Sequence, residues 1–531
     1  MITDWLERRR LVRKGLACDK TRLSASEDTL QSRAESSWKI RLFILGTFIV
    51  LLHLGVAWAH VGDNREDQIL AFIIFISGLM LLELDCPDMW RSNSRLTLIL
   101  SSIWLNLAVI KLLFLNWHAN DPLNMPGFYF LSPSTFAPFL ITLLLGTRVG
   151  LFSVVQVSML ASLLVGKDFT FLLVSLLSGF TAVYFCQNVR KRADLLRAGF
   201  AVGALNLICA IVLGIVHHGS SPSALAIEAL FGVGGGLLTA FVISFFLPIV
   251  EWMFKITTTI SWLELADLNH PLLQQLTMEA PGTYHHSLLV ANLAEAGAKA
   301  IGLDATACRV MAYFHDIGKI IKPEYFTENI PPGANPHENL TPSMSALIII
   351  AHVKEGIDLA IKYRLKKQVL DAIQQHHGDS VVSYFHQRAL QQAQDAREGG
   401  KIMNMREEDV PEVSENSFRY PGPKPQTREI GILSIADAVE AASRSLEKPT
   451  AQRIEDLVNE IVEHKISTGQ LDECHLTMNE IRAASEAMSA TLKNMLHTRV
   501  SYAKKEKTSA STLVKPTKRS SHPGTSTSAA A

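Results

Sequence analysis

The chain of 531 residues is 48% hydrophobic and only 19% charged, with a mean hydropathy of +0.19, off-centre for a soluble enzyme. Fifty basic and 50 acidic side chains cancel, which removes the overall positive field expected of a nucleic-acid-binding protein. Six widely separated cysteines with no CxxC pair exclude a secreted disulfide scaffold and offer no thiolate zinc site.

Charge is unevenly spread along the chain. Residues 39–250 hold 22 Asp, Glu, Lys or Arg in 212 positions, whereas the other 319 positions hold 78. The expected organisation is a basic N-terminal segment over 1–38, a transmembrane region over 39–250, a linker over 251–280, a soluble helical domain over 281–503 and a disordered tail over 504–531. The N-terminal segment, rich in Arg, Lys and Ser, is expected to lie near anionic lipid.

A bilayer core needs about 20 mostly apolar residues per helix. Eight stretches qualify, at about 40–60, 67–86, 96–115, 128–146, 148–165, 169–187, 199–217 and 226–250. The fourth and fifth are separated only by Gly146, Thr147 and Arg148. Arg and Lys occupy the N-terminal segment and every second connection (Arg91 and Arg95, Arg148, then Arg190, Lys191, Arg192 and Arg197), which places these connections inside. Eight spans then put residues 251–531 in the cytoplasm. The first span is too long and too far into the chain for a cleaved signal and is expected to be an anchor. Carriers place ionisable groups near the bilayer midplane. Lys111, Glu83, Asp85 and Glu228 instead fall near span ends, where snorkelling is expected. The run Gly232, Gly234, Gly235 and Gly236 is expected to allow close helix packing.

Eight of the 18 histidines lie between 285 and 386. Histidine is the commonest metal ligand and titrates near neutrality, so the cluster points to metal or acid–base chemistry. The patterns around it are helical: HSLLVANLAEAGAKAIG from His286, with a stripe at Leu289, Val290, Leu293, Ala296 and Ala300; DATACRVMAYFHD with Asp304 as N-cap; TPSMSALIIIAHV to His352; KKQVLDAIQQHHG stopping at Gly378; and ILSIADAVEAASRSL with Asp437. No alternating strand pattern interrupts them, so the whole chain is expected to be all-α: a polytopic membrane bundle followed by an all-helical domain. Each of the five helices is expected to end at or near a histidine or aspartate. Mixed imidazole and carboxylate shells suit Mn²⁺ or Fe²⁺, and seven ligands are too many for one ion with an open position. Two ions fit, with the carboxylate of an adjacent pair such as His315 and Asp316 bridging them. Such a pair of ions suits phosphoester displacement.

The stretch from APGTYHHSLLVANLAE (280–295) through HDIGK (315–319), NPHENLTPSMSALIIIAHV, QQHHGDSVVSYF, FRYPGPKPQTRE and ADAVEAASRSL resembles the HD-domain phosphohydrolases. With the approach WLELADLNHPLLQQLTMEAPG (262–282), it resembles more narrowly the membrane-anchored bacterial seven-transmembrane HD proteins that hydrolyse cyclic di-AMP. The resemblance implies metal ligands His286, His315, Asp316, His352, His376, His377 and Asp437, two Mn or Fe ions, and cleavage of a cyclic dinucleotide to its linear form. Of the doublet, His286 is assigned because it precedes Ser287, and His285 is expected to pack or support it. The resemblance also implies a bacterial inner-membrane location with the HD domain in the cytoplasm.

Beside Asp316, Lys319 is a candidate catalytic and substrate-binding cation, and Arg444, seven residues after Asp437, a candidate phosphate partner; a helix-end lysine and a surface ion pair are the structural alternatives. His337 is expected to order its Pro-rich loop. Tyr325, Phe326, Tyr384 and Phe385 could stack on adenines or pack the core. The polar segment 388–418 is expected to be a flexible surface insertion. RYPGP (419–423) does not replace the GYP motif of cyclic di-GMP hydrolases, which follows their HH pair. Two helices after Thr450 could pack on the domain or mediate homo-oligomerisation. The expected partners are therefore cyclic di-AMP and the lipid bilayer, with no nucleic acid polymer. Another cyclic dinucleotide as substrate, a non-catalytic nucleotide receptor, and a carrier are the alternatives.

Overall fold

A computed structural model describes residues 35–57, 65–120, 125–187, 189–217, 222–331, 333–402, 413–446 and 449–497. Residues 1–34, where most of the basic segment falls, and the tail beyond 497 lie outside the described residues. The described chain is helical, and its only bridge between extended residues is Val381 with Arg419.

Among the described residues, eight helical segments are long and apolar enough to cross a membrane, in the order expected. They are α1 (Trp38–Ala57), α2 (Arg65–Asp85), α3 (Asn93–Asn120), the pair α4 (Met125–Leu131) and α5 (Phe136–Leu145), α6 (Thr147–Leu164), α7 (Phe169–Cys186), α8 (Arg192–His217) and α9 (Pro222–Phe254). The fourth span differs from its expected form because it is two half-helices broken at residues 132–135. Asn106 on α3 closes the break, donating to Pro133 O at 2.8 Å and accepting from Ala137 N at 3.3 Å, so the freed backbone groups find partners inside the bundle. This span and the next are the most enclosed of the eight.

One expectation about the bundle needs correction. Lys111 and Glu228 are 3% and 5% exposed, so they do not snorkel; Lys111 donates to Leu164 O at 3.3 Å. Glu83 and Asp85 are exposed. The glycine run does pack closely at three of its four positions. A Cβ on Gly236 would sit 2.4 Å from Gly199 O and 2.7 Å from Gly203 N, and one on Gly235 would meet Phe130 O at 2.7 Å. A Cβ on Gly232 would lie 3.2 Å from the Asn206 backbone, whereas Gly234 has nothing within 4 Å. Helices α8 and α9 therefore approach backbone to backbone.

The soluble part follows without a break. Residue Glu251, near the end of α9, accepts from Thr258 N at 3.0 Å, Ser261 Oγ at 2.6 Å and Lys366 Nζ at 3.1 Å. Thr257 donates to Gln368 at 3.0 Å. These bonds tie the last membrane helix to the start of α15 (Lys367–Gln375), whose far end carries His376 and His377.

Around α15 stand α10 (Thr259–Leu265), α11 (Pro271–Glu279), α12 (Pro281–Ala300), α13 (Ala305–Phe314), α14 (Pro342–Lys362), α16 (Ser383–Ile402), α17 (Arg428–Ser443), α18 (Ala451–Ser467) and α19 (Met478–His497). Asp304, Thr341, Thr427 and Thr450 cap four of them, each accepting a backbone N–H three residues on. Helix α12 begins before His286, and its buried stripe is Val290, Ala291, Leu293, Ala294, Gly297 and Ala298, so Ala300 is exposed. One core joins Leu293, Phe314, Ile373, Leu433, Ile454, Val458, Ala484 and Met488. The two helices after Thr450 thus pack on this core.

Of the segment 388–418, expected to be a flexible surface insertion, the described helical residues 388–397 are exposed or half-buried. Helix α16 runs into it as far as Ile402, and Phe418 is buried against Phe385 and Ala346; residues 403–412 lie outside the described residues.

The close α8–α9 contact generates a paired prediction. Gly236→Ala should destabilise the detergent-solubilised protein by about 1–3 kcal/mol through overpacking, lowering its thermal unfolding midpoint. Gly234→Ala should leave it unchanged or raise it.

Candidate metal centre

Five helices converge on one buried carboxylate. Asp316 follows α13, whose C-cap is His315, and its side chain is 2% exposed. The turn after it, Ile317–Ile321, lies against α14 so tightly that a Cβ on Gly318 would fall 1.8 Å from His352 O and 2.5 Å from Gly356 N. Only glycine lets this turn approach the helix that carries His352.

The two oxygens of Asp316 face two different sets of nitrogen. Oδ2 lies 3.4 Å from His286 Nε2 and 3.3 Å from His315 Nε2. Oδ1 lies 3.4 Å from His352 Nε2 and 3.7 Å from His376 Nε2. Asp437 Oδ1 adds to the first set at 3.0 Å from His286 Nε2, and Asp437 Oδ2 stands 3.8 Å from His377 Nδ1. The donor atoms form two groups that could each hold an ion, His286–His315–Asp316–Asp437 and Asp316–His352–His376–His377, each with its atoms within 4.8 Å of one another. Asp316 belongs to both, and all seven sequence candidates are brought together.

Local hydrogen bonds fix three of the rings. Nδ1 of His315, His352 and His376 donates to the carbonyl oxygens of Ala312, Ile349 and Ile373 at 2.8, 2.6 and 2.9 Å. That directs Nε2 of each ring inward. The three Nε2 atoms and Asp316 Oδ1 are buried without a hydrogen-bond partner. Buried polar atoms are rarely left unpaired, and a convergent set of them fits a divalent cation.

The electrostatics run the same way. Burial alone would push the His315 imidazolium down, but the Asp316 and Asp437 carboxylates outweigh it and hold it up at about 9. They raise His286 well above its ordinary value too. Burial dominates at His352, taking it down to about 4, and at His377, where His376 adds to the fall. The two carboxylates thus govern His286 and His315, whereas burial governs His352 and His377.

Helix position was misjudged from the sequence. Only His315 and His376 are helix caps; His286, His352 and Asp437 lie inside α12, α14 and α17. His285 is exposed, packs edge-on against the Tyr284 ring at 5.9 Å and belongs to neither donor group.

Lys319 Nζ is held between Asp316 Oδ2 at 2.7 Å and Glu328 Oε1 at 2.8 Å. Burial would push Glu328 up, but Lys319 holds it down to about 2. Arg444 forms a bidentate pair with Glu440 at 3.1 and 2.9 Å and reaches the cavity wall. His337 is buried in its loop, where its Nε2 lies 2.8 Å from Tyr325 O. Phe326 and Phe385 are buried, whereas Tyr384 is 68% exposed at the rim.

Sequence reasoning missed the residues behind the ligands. Glu440, 2% exposed, bonds His286 Nδ1 and lies one turn after Asp437. Lys465 donates to Ser434 Oγ at 2.8 Å, which donates to His376 O at 2.5 Å. A charged residue on an otherwise apolar stripe was the available signal for Glu440. Above the centre opens a cavity of about 800 Å³, in the range that takes small-molecule ligands.

Comparison with known proteins follows this division. The family model described as "7TM receptor with intracellular HD hydrolase" matches residues 39–258, and the HD domain model matches 283–442. The cyclic-di-AMP phosphodiesterase PgpH of Listeria monocytogenes is 35% identical over 441 residues, 81% of this chain and 58% of its own length. The protein of that name from Bacillus subtilis is 35% identical over 381 residues, 70% of this chain and 51% of its own. The chain thus spans between half and three fifths of the length of these relatives. A crystal structure of the L. monocytogenes PgpH HD domain is 41% identical, covers 43% of this chain and 100% of that domain, and aligns with a TM-score of 0.39. The same domain with cyclic di-AMP aligns at 0.38 over 98% of its length.

The Glu440–His286 contact predicts an effect on metal binding. Glu440→Gln should weaken Mn²⁺ binding about 10–100-fold, measured by equilibrium dialysis of the full chain. Unchanged affinity would remove the orienting role of Glu440.

Proposed function

The chain belongs to the 7TM receptors with intracellular HD hydrolase, and we propose that it is a metal-dependent phosphodiesterase that opens cyclic di-AMP to linear pApA. The observation that carries this reading is the shared carboxylate: Asp316 faces one donor group with each oxygen, on the floor of a cavity open to a ligand. Two divalent ions, Mn or Fe, would be held by His286, His315, Asp316 and Asp437 on one side and by Asp316, His352, His376 and His377 on the other. When bound, such ions supply a water of lowered pKa and stabilise the charge of an in-line phosphoester displacement.

The chain's own groups do the rest. Hydrolysis adds water across one P–O3′ bond, leaving a 5′-phosphate on one nucleotide and a 3′-hydroxyl on the other. Lys319, pinned by two carboxylates, fixes Asp316 and keeps a positive charge at the cavity wall. Removing one partner of such a buried pair costs about 3–5 kcal/mol. Arg444, steadied by Glu440, offers a second cation to the far phosphate of a cyclic dinucleotide. Tyr384 at the rim supplies an aromatic face for an adenine. The substrate assignment rests on the relatives named as cyclic-di-AMP phosphodiesterases.

A cytoplasmic soluble domain and an inner-membrane location are part of the proposal. Arg192, in the most basic connection, pairs with Glu264 of α10 at 2.8 Å, so that connection lies at the end of the bundle facing the soluble domain. Basic connections face the cytoplasm.

The test uses the full chain in detergent with Mn²⁺, or anaerobic Fe²⁺, incubated with cyclic di-AMP or cyclic di-GMP and resolved by anion-exchange chromatography. Cyclic di-AMP should become pApA, and Asp316→Ala, checked for fold by circular dichroism, should lose at least about 10²-fold in kcat. A folded, metal-loaded protein that binds cyclic di-AMP without cutting it would instead be a receptor.

A further inference from the structure

The RYPGP segment has no part in the chemistry described so far, yet it delivers a phenol to the centre. Tyr420 lies in the extended stretch before α17, and two backbone contacts tie that stretch to the turn after His377. Tyr420 N donates to Ser380 O at 2.9 Å, and Val382 N donates to Phe418 O at 2.8 Å. Arg419 Nη1 donates to Asp379 O at 2.9 Å. The Tyr420 ring stacks on His377, with centroids 4.3 Å apart and planes inclined by 26°, and meets His352 edge-on at 6.0 Å.

The side chain is therefore immobilised on two candidate ligands. Tyr420 is 9% exposed and lines the same cavity as His286, Lys319, Asp437 and Arg444. Its hydroxyl makes no hydrogen bond with any described residue. The hydroxyl oxygen is not one of the enclosed unpartnered atoms, so it is open to the cavity and to a ligand there. A fixed O–H opening into an anion-binding cavity beside the metal groups has the properties of a preorganised donor.

We propose that the Tyr420 hydroxyl donates a hydrogen bond to a non-bridging oxygen of the scissile phosphodiester, holding the phosphate over the metal centre. The proposal rests on the phosphodiesterase reading. It assigns Tyr420 a place among the groups that touch substrate, against His377 and His352, whereas Glu440 contacts His286. The phenol keeps its proton throughout, so no bond to hydrogen is broken.

Tyr420→Phe removes the hydroxyl and keeps the ring that stacks on His377. The full chain in detergent, parent and variant, is loaded with Mn²⁺ and measured in three ways: metal content by mass spectrometry, binding of inorganic phosphate by equilibrium dialysis, and kcat and KM for cyclic di-AMP. The variant should keep its metal content, bind phosphate about 10-fold more weakly, and lose about 10²-fold in kcat with KM changed by less than about threefold. Phosphate affinity and kcat both within about threefold of the parent would overturn the assignment. So would loss of metal from the variant, because the tyrosine would then act by supporting His377. If the parent cuts no cyclic dinucleotide, the phosphodiesterase reading fails by itself, and the phosphate-binding comparison still decides for or against Tyr420.

Discussion

One buried carboxylate organises the soluble half of this protein. Asp316 is taken out of water with five imidazoles, a second aspartate and a lysine around it, and a charge so placed survives only if it is compensated from several directions. The helices arrange themselves to do that. Helix α13 supplies His315 and Asp316 from its C-terminal end, α12, α14 and α17 supply His286, His352 and Asp437 from their flanks, and α15 ends in His376 and His377. Gly318 makes the arrangement sterically possible by letting the turn after Asp316 touch the backbone of α14. A core of Leu, Ile, Val and Ala below the centre then holds these helices at the spacing the donor atoms require.

The surrounding charges are ordered in layers. Lys319 sits between Asp316 and Glu328, Glu440 between His286 and Arg444, and Lys465 behind the carbonyl of His376 through Ser434. Asp316 and His286 therefore each have a second partner that limits their rotation, which is how a site holds its geometry when the ion binds and when it leaves. The same helix that ends in His376 and His377 begins beside Glu251 of the last membrane helix. The membrane bundle and the metal centre are thus joined by nine residues of rigid helix.

Within the membrane half, polar residues turned inward explain both what was legible and what was not. Eight apolar stretches stood out by length alone. The fourth and fifth were the least distinct because they are the most enclosed, and enclosed helices can carry Ser, Thr, Gln and a break that lipid-facing helices cannot. Lys111 and Glu228 were placed at the surface by their position near span ends, but neighbouring helices cover them. Similarly, His285 and His286 differ by one residue and by 100° of helix, and only the packing of α12 decides which one is buried.

The sequence by itself determined the all-helical architecture, the division into an apolar and a charged half, the cap at Asp304, and the small set of His and Asp residues worth watching. These depend on composition, on periodicity and on the chemistry of single side chains, all of which are local. What only the tertiary structure decided is relational. The division of seven residues into two groups sharing Asp316 is set by distances across five helices. The partnership of Glu440 with His286 spans 154 positions, and the stack of Tyr420 on His377 spans a helix and an excursion of the chain. No local pattern encodes such contacts, because the side-chain directions that create them are fixed only when the helices pack.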